Sequence, residues 1–133
     1  LRDLLWRALS ALGDAPLNGH PDCNVAGILN VSFPGIAAEA LLAAIPEIAI
    51  STGSACASVG NEPSHVLRAM GCDEVRARGA VRFSLGRFTT VAEIEHTARR
   101  VSAAVRRLRE LSPLWELRQR GLDQRVVNWA ALP

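Results

Sequence analysis

A chain of 133 residues with 49% hydrophobic and 21% charged residues has the size and composition of one globular domain, which excludes a disordered or fibrous protein. The net charge of +2 is too small to indicate nucleic-acid binding. Because no apolar run is long enough to span a bilayer and the start lacks a secretory pattern, we expect no membrane contact and a cytoplasmic protein. The chain begins inside a helical pattern without methionine, so we expect it to be cut from a longer protein.

The use of lysine and cysteine limits the chemistry further. All 15 residues counted as Lys or Arg are arginine, so a reaction that needs a lysine amine, such as Schiff-base chemistry, must take that lysine from elsewhere. Cys23, Cys56 and Cys72 are far apart and form no C-x-x-C pair, which argues against a zinc site or a disulfide framework. We therefore expect no metal site, a surface position for Cys23 and a packing role for Cys72.

Helical and strand-like patterns alternate along the first 86 residues. They predict a helix at 1–12, a surface connection at 14–24, a strand at 27–33, a helix at 36–45, a strand at 47–50, helices at 63–70 and 73–77, and a strand at 80–86. In the last strand Val81, Phe83 and Leu85 occupy one face and Arg82 and Ser84 the other. Arg82 is therefore expected to project from the middle of a sheet.

The most clearly defined element is a long helix that follows this strand. Thr90 and Glu93 form a capping box, and apolar residues recur behind it every three or four positions to about Leu111. Pro113 ends this helix, and another helical turn or two is expected at 114–117. Tryptophans lie among arginines in the tail that follows, a composition typical of interaction surfaces, although a tail that only packs on the domain remains the alternative.

Small residues surround Cys56 in the sequence S-T-G-S-A-C-A-S-V-G at 51–60. They give the backbone freedom and leave the sulfur unshielded, whereas a structural cysteine usually has large apolar neighbours. The stretch therefore predicts a reactive loop between a buried strand and a helix. An incidental surface thiol is the alternative. His65 is a candidate basic neighbour, although a solvated histidine at the start of a helix is the favoured interpretation.

Three stretches resemble one enzyme family, in order and spacing: S-T-G-S-A-C at 51–56, E-P-S-H-V-L-R-A at 62–69 and R-F-S-L-G-R-F-T-T at 82–90. The family is the cysteine desulfurases, and the resemblance is to their C-terminal part. More narrowly, the chain is similar to the long-loop class that supplies sulfur for iron–sulfur cluster assembly. Because 28–33 and 108–116 also match, the resemblance covers nearly the whole chain.

The resemblance implies an α/β (α+β) fold, the small C-terminal domain of a fold-type I, class V aminotransferase-like enzyme. A short sheet would be packed by helices, one of them long. Residues 1–112 would form the domain, with the catalytic loop at 51–62, and residues 113–133 would form a C-terminal tail. The large domain that binds pyridoxal 5'-phosphate, with its lysine, would be absent from this chain, so the isolated segment is expected to be inactive.

The resemblance also implies the site residues and partners. In similar enzymes a loop thiolate attacks the sulfur of L-cysteine and leaves L-alanine and an enzyme persulfide, and Cys56 matches that nucleophile. Arg82 matches the residue that grips the substrate α-carboxylate, a role suited to a planar two-donor fork, with a structural ion pair as the alternative. Arg87 is not expected to belong to the site. The family forms homodimers and passes sulfur to an iron–sulfur scaffold or other sulfur-acceptor protein, and the tail is the expected docking region.

Two other functions remain open at this point. The first is a stand-alone sulfur-relay or scaffold-binding module without pyridoxal chemistry. A relay needs no carboxylate clamp, so the presence of Arg82 favours the enzyme. The second is a protein that binds only through its arginine-rich tail, which leaves the cysteine loop unexplained.

Overall fold

The computed structural model describes residues 1–52 and 63–121. Within these ranges the elements are α1 (Arg2–Ser10), β1 (Ile28–Ser32), α2 (Ala38–Ala44), α3 (His65–Ala69), α4 (Glu74–Arg78), β2 (Ala80–Ser84), α5 (Val91–Glu110) and α6 (Pro113–Gln119). A short sheet packed by helices, one of them long, confirms the predicted fold class. No helix in the described ranges combines the length and the apolar character needed to cross a membrane.

The sheet is antiparallel and has β1 and β2 as its strands. Asn30 lies opposite Arg82 in its register. Single bridging residues extend the pairing on both sides, because Leu17 pairs with Val31 and Ser51 pairs with Arg82. The order across the sheet is therefore the segment of Leu17, then β1, then β2, then the segment of Ser51.

One face of the sheet forms the core. Leu29, Val31, Val81 and Phe83 are 0% to 3% exposed. Helices α1, α2 and α5 cover this face with Leu5, Leu9, Ala38, Leu41, Ile94, Ala98, Val101 and Val105. Because side chains alternate along a strand, the same register places Arg82 on the opposite, polar face, which confirms its predicted position.

The predicted strand at 47–50 is wrong. After α2 the chain turns, and Ser51 alone pairs with β2. Ile48 and Ile50 pack against the core as separate side chains. Glu47 is exposed and forms an ion pair with Arg100 of α5, and this hydrogen bond lowers the pKa of the Glu47 carboxyl. The apolar run thus reflects core contacts made from an irregular segment, which periodicity alone does not distinguish from a strand.

Helix α5 begins with the predicted capping box: the Thr90 main-chain N–H donates to Glu93 Oε2 (2.7 Å), and the Glu93 N–H donates to Thr90 Oγ1 (3.3 Å). These bonds satisfy two amide groups that the helix leaves unpaired at its start. The main-chain N–H and the hydroxyl of Thr90 both donate to the Glu93 carboxylate, and these two bonds lower the pKa of that carboxyl. The predicted long helix is confirmed, with Glu110 as its last residue.

Helix α6 packs closely at the end of α5. The Arg109 guanidinium carbon lies 3.9 Å from the centre of the Trp115 ring, and Arg118 forms an ion pair with Asp14. A Cβ built on Gly35, which has a φ of +88°, would lie 2.9 Å from Trp115 Cε3. The first turns of the predicted tail therefore pack on the domain, whereas residues 122–133 lie outside the described residues.

Candidate active site

Arg82 lies in the middle of β2 with its side chain exposed, between the buried residues Val81 and Phe83. At the edge of β2 that faces away from β1, the main chain of Arg82 pairs with Ser51. The Arg82 N–H donates to the Ser51 carbonyl (2.7 Å), and the Ser51 N–H donates to the Arg82 carbonyl (3.1 Å). Within residues 1–52 and 63–121 its guanidinium has no hydrogen-bond or ion-pair partner. An exposed guanidinium on a strand that is fixed in this way can bind a carboxylate through two parallel N–H donors.

Described residues on both sides of the segment that contains Cys56 contact β2. Ser51 pairs with Arg82 before the loop. After the loop, Leu67 of α3 packs in a small buried cluster with Ala80, the first residue of β2. Cys56 itself lies outside the described residues, so its predicted role remains a prediction. His65 is exposed in the first turn of α3, in agreement with a solvated histidine.

Sequence reasoning missed a polar row that crosses the sheet beside Arg82. Asn18 Nδ2 donates to Asn30 Oδ1 and to Ser32 Oγ, both at 2.7 Å. The Asn18 N–H also donates to the Asn30 carbonyl (2.9 Å). Asn18, Asn30, Arg82 and Ser51 therefore follow one another across the strands. The available signal was the alternation of Asn30 with two large apolar residues, which places it on the polar face.

Arg76 fixes the orientation of the Asn18 amide. Its Nε donates to Asn18 Oδ1 (2.8 Å) and its Nη2 donates to the Leu17 carbonyl (2.7 Å). Because a guanidinium only donates, the oxygen of the Asn18 amide must face Arg76 and its nitrogen must face Asn30. Cys72 Sγ lies 3.7 Å from the same oxygen, in a partly buried position against the Leu67 cluster, which confirms the expected packing role of Cys72.

The remaining candidates lie outside this row. Arg87 stacks over the ring of Phe88, with 4.5 Å between the guanidinium carbon and the ring centre, in the loop between β2 and α5. Cys23 is exposed, as expected, and its N–H donates to His20 Nδ1 (3.0 Å). Among the described residues no three His, Cys, Asp or Glu side chains come together as metal ligands.

Comparison with known proteins identifies the family. Residues 1–97 match the family model described as aminotransferase class-V, so the chain belongs to the class V aminotransferase family. Over 130 residues it is 48% identical to "Cysteine desulfurase IscS" of Acinetobacter baumannii (strain AYE) and 46% identical to the protein of the same name from Pectobacterium atrosepticum. These matches cover 98% of this chain but 32% of each relative, so the chain spans about a third of their length.

Solved structures agree with this family. A NifS-like protein superimposes with a TM-score of 0.66 at 27% identity, and the match covers 79% of this chain and 26% of that one. A NifS-like protein from Rickettsia africae gives a TM-score of 0.64 over 77% of this chain and 27% of its own, at 22% identity, which supports the fold alone. The resemblance seen in the sequence motifs is thereby confirmed.

Enzymes of this family depend in general on pyridoxal phosphate, which is attached to a lysine. This chain has no lysine, so its residues do not fit covalent attachment of the cofactor. The polar row instead offers donors for an anionic group. We therefore assign no cofactor step to the residues of this chain.

Proposed function

We propose that this chain is the part of a cysteine desulfurase that holds the carboxylate of L-cysteine through Arg82 and receives its sulfur on Cys56. The observation that carries the proposal is the main-chain pairing of Ser51 with Arg82, since it ties the base of the cysteine loop to the strand that carries the clamp. Pyridoxal phosphate is bound by the part of the enzyme outside this chain, which corresponds to about two thirds of each relative's length.

The surroundings of Arg82 favour the clamp over a structural ion pair. An arginine used in a structural pair has a carboxylate within 4 Å, as Arg118 has in Asp14. No such carboxylate accompanies Arg82 in the described ranges. Its fork is therefore available to the two oxygens of a substrate carboxylate, a geometry that a single ammonium group cannot reproduce.

The spacing in the chain suits a thiol that must reach two places, the substrate and an acceptor protein. Cys56 is five residues beyond Ser51, and an extended chain covers at most about 3.6 Å per residue, so its Cα stays within about 18 Å of Ser51. The small residues of the loop hinder neither position. The same thiol can then meet the substrate at Arg82 and an acceptor protein outside.

The sulfur transfer balances as a displacement at sulfur. The Cys56 thiolate attacks the substrate sulfur, and the new S–S bond forms as the Cβ–S bond breaks. Its electron pair stays with the carbon, which takes a proton to become alanine. A thiolate of the acceptor then attacks the outer sulfur of the persulfide and releases Cys56. The enzyme passes this sulfur to a scaffold or another acceptor protein for iron–sulfur cluster assembly. It acts as a homodimer.

In this proposal residues 1–112 form the small domain, with the loop at 51–62, and 113–133 form the tail.

The test replaces Cys56→Ser in the full-length enzyme, with Cys23→Ser as the matched control. We expect C56S to retain its cofactor absorbance and to form no persulfide from L-cysteine, because a hydroxyl is a poor nucleophile towards sulfur. C23S should behave as the wild type. Persulfide on C56S at the wild-type level would remove Cys56 from this role.

A further inference from the structure

We propose that Asn30 is a second ligand of the substrate carboxylate, and that its Nδ2 donates a hydrogen bond beside the fork of Arg82. The inference rests on the proposed function, because it requires that Arg82 bind the carboxylate of L-cysteine. It adds a specificity-determining residue to that site and assigns to Asn18 the task of orienting it.

The pairing of the strands brings the two side chains together. Asn30 and Arg82 are directly opposite in the register. Their main chains do not bond to each other, since Arg82 bonds to Ser51 on one side and the Asn30 carbonyl accepts from Asn18 on the other. In such a non-hydrogen-bonded pair the Cα atoms are only about 4.5 Å apart and the side chains share one face. The Asn30 amide and the Arg82 side chain are therefore neighbours on this face.

The amide of Asn30 is oriented with its nitrogen available. Its oxygen accepts from Asn18 Nδ2 (2.7 Å), and the Asn18 amide is itself fixed by Arg76. Since the oxygen and nitrogen of an amide point to different sides, the Asn30 nitrogen does not face the Asn18 amide. In the part of the chain that the structure describes, Asn30 Nδ2 has no hydrogen-bond partner. Asn30 is only partly buried.

A carboxylate can accept from both residues at once. Its two oxygens offer about four lone-pair positions, of which a bidentate arginine fills two. The Asn30 N–H would occupy a third. Loss of a hydrogen bond to a charged group weakens binding by roughly 10- to 150-fold.

The experiment measures the full-length enzyme with Asn30→Ala, Arg82→Ala and the control Ser84→Ala, which removes an exposed polar group from the same face of β2. The readouts are KM and kcat for L-cysteine, the calorimetric Kd for L-alanine, which has the carboxylate but no sulfur, and the melting temperature. We expect N30A to raise KM and the L-alanine Kd about tenfold or more, with kcat and melting temperature nearly unchanged. S84A should match the wild type.

A second variant tests the orientation without altering Asn30. Asn18→Asp keeps the shape and the acceptor for Arg76 but removes the donor to Asn30 Oδ1. The Asn30 amide should then reverse to donate to the carboxylate introduced at position 18, and present its oxygen to the substrate carboxylate. We expect N18D to raise KM at least as much as N30A, and the double variant N18D/N30A to show no further increase beyond N30A.

The outcomes separate the inference from the function on which it rests. If R82A raises KM while N30A leaves KM and the L-alanine Kd within twofold of the wild type, Asn30 is not a ligand and the proposed function stands. If R82A also leaves KM unchanged, the clamp itself is wrong. A parallel fall of kcat and melting temperature in N30A would make Asn30 a structural residue and overturn the inference.

Discussion

Replacement of Arg82→Lys in the full-length enzyme tests the clamp most directly, because it keeps the positive charge and changes only the donor geometry. The guanidinium offers two parallel N–H donors to a carboxylate, and an ammonium offers one point charge. A hydrogen bond to a charged group contributes about 1.5–3 kcal/mol. Loss of one of the two bonds should therefore lower kcat/KM for L-cysteine by roughly 10- to 150-fold, at about 1.4 kcal/mol for each factor of ten.

The structure also predicts what this variant leaves intact. The Arg82 side chain is exposed and has no partner in the described ranges, so its loss should change the free energy of unfolding by no more than about 0.5 kcal/mol. The bonds to Ser51 come from the main chain and survive the substitution. Ser51, five residues before Cys56, therefore keeps its place, and any loss of activity reports on substrate binding.

The assay is alanine release as a function of L-cysteine concentration, with Arg87→Lys as the control. Arg87 lies five residues further along and stacks on Phe88, so R87K keeps a similar surface charge and should leave kcat/KM within about twofold. An R82K enzyme with kcat/KM within threefold of the wild type would refute bidentate recognition. A loss of activity accompanied by a fall in the free energy of unfolding large enough to explain it would also refute it.

Two further predictions concern helix α6 and the residues that follow it. Gly35→Ala should lower the free energy of unfolding in urea by about 2–5 kcal/mol, because its φ of +88° is unfavourable for alanine and the new Cβ would meet Trp115 at 2.9 Å. Gly13→Ala is the matched control with a φ of +67° and nothing within 4 Å, so equal losses in the two variants would contradict a role for the Trp115 contact. Truncation after Gly121 keeps α6 and removes 122–133; we expect cysteine cleavage with a small reductant to be spared and sulfur delivery to a scaffold to fall. Equal losses of both activities, with a lower melting temperature, would reject a docking role for the tail.

Much of this protein is determined by its local sequence. The capping box of Thr90 and Glu93, the alternation around Arg82 and the helix after Pro113 all appear where the sequence places them, because each depends on spacing within a few residues. The motif around Cys56 and the absence of lysine likewise predict the enzyme family and the missing cofactor attachment before any contact is known.

Tertiary structure alone decided the rest. A strand needs a partner, and the edge of β2 pairs only with Ser51 among the described residues, so the apolar residues at 47–50 form no strand. Asn18 stands in a stretch of turn residues that predicts a surface connection, yet it is 9% exposed and bonds to Arg76, 58 positions further along. Pairings of this kind depend on how distant segments meet, and local periodicity carries no information about that. The row from Asn18 through Asn30 to Arg82 therefore emerges only from the folded chain.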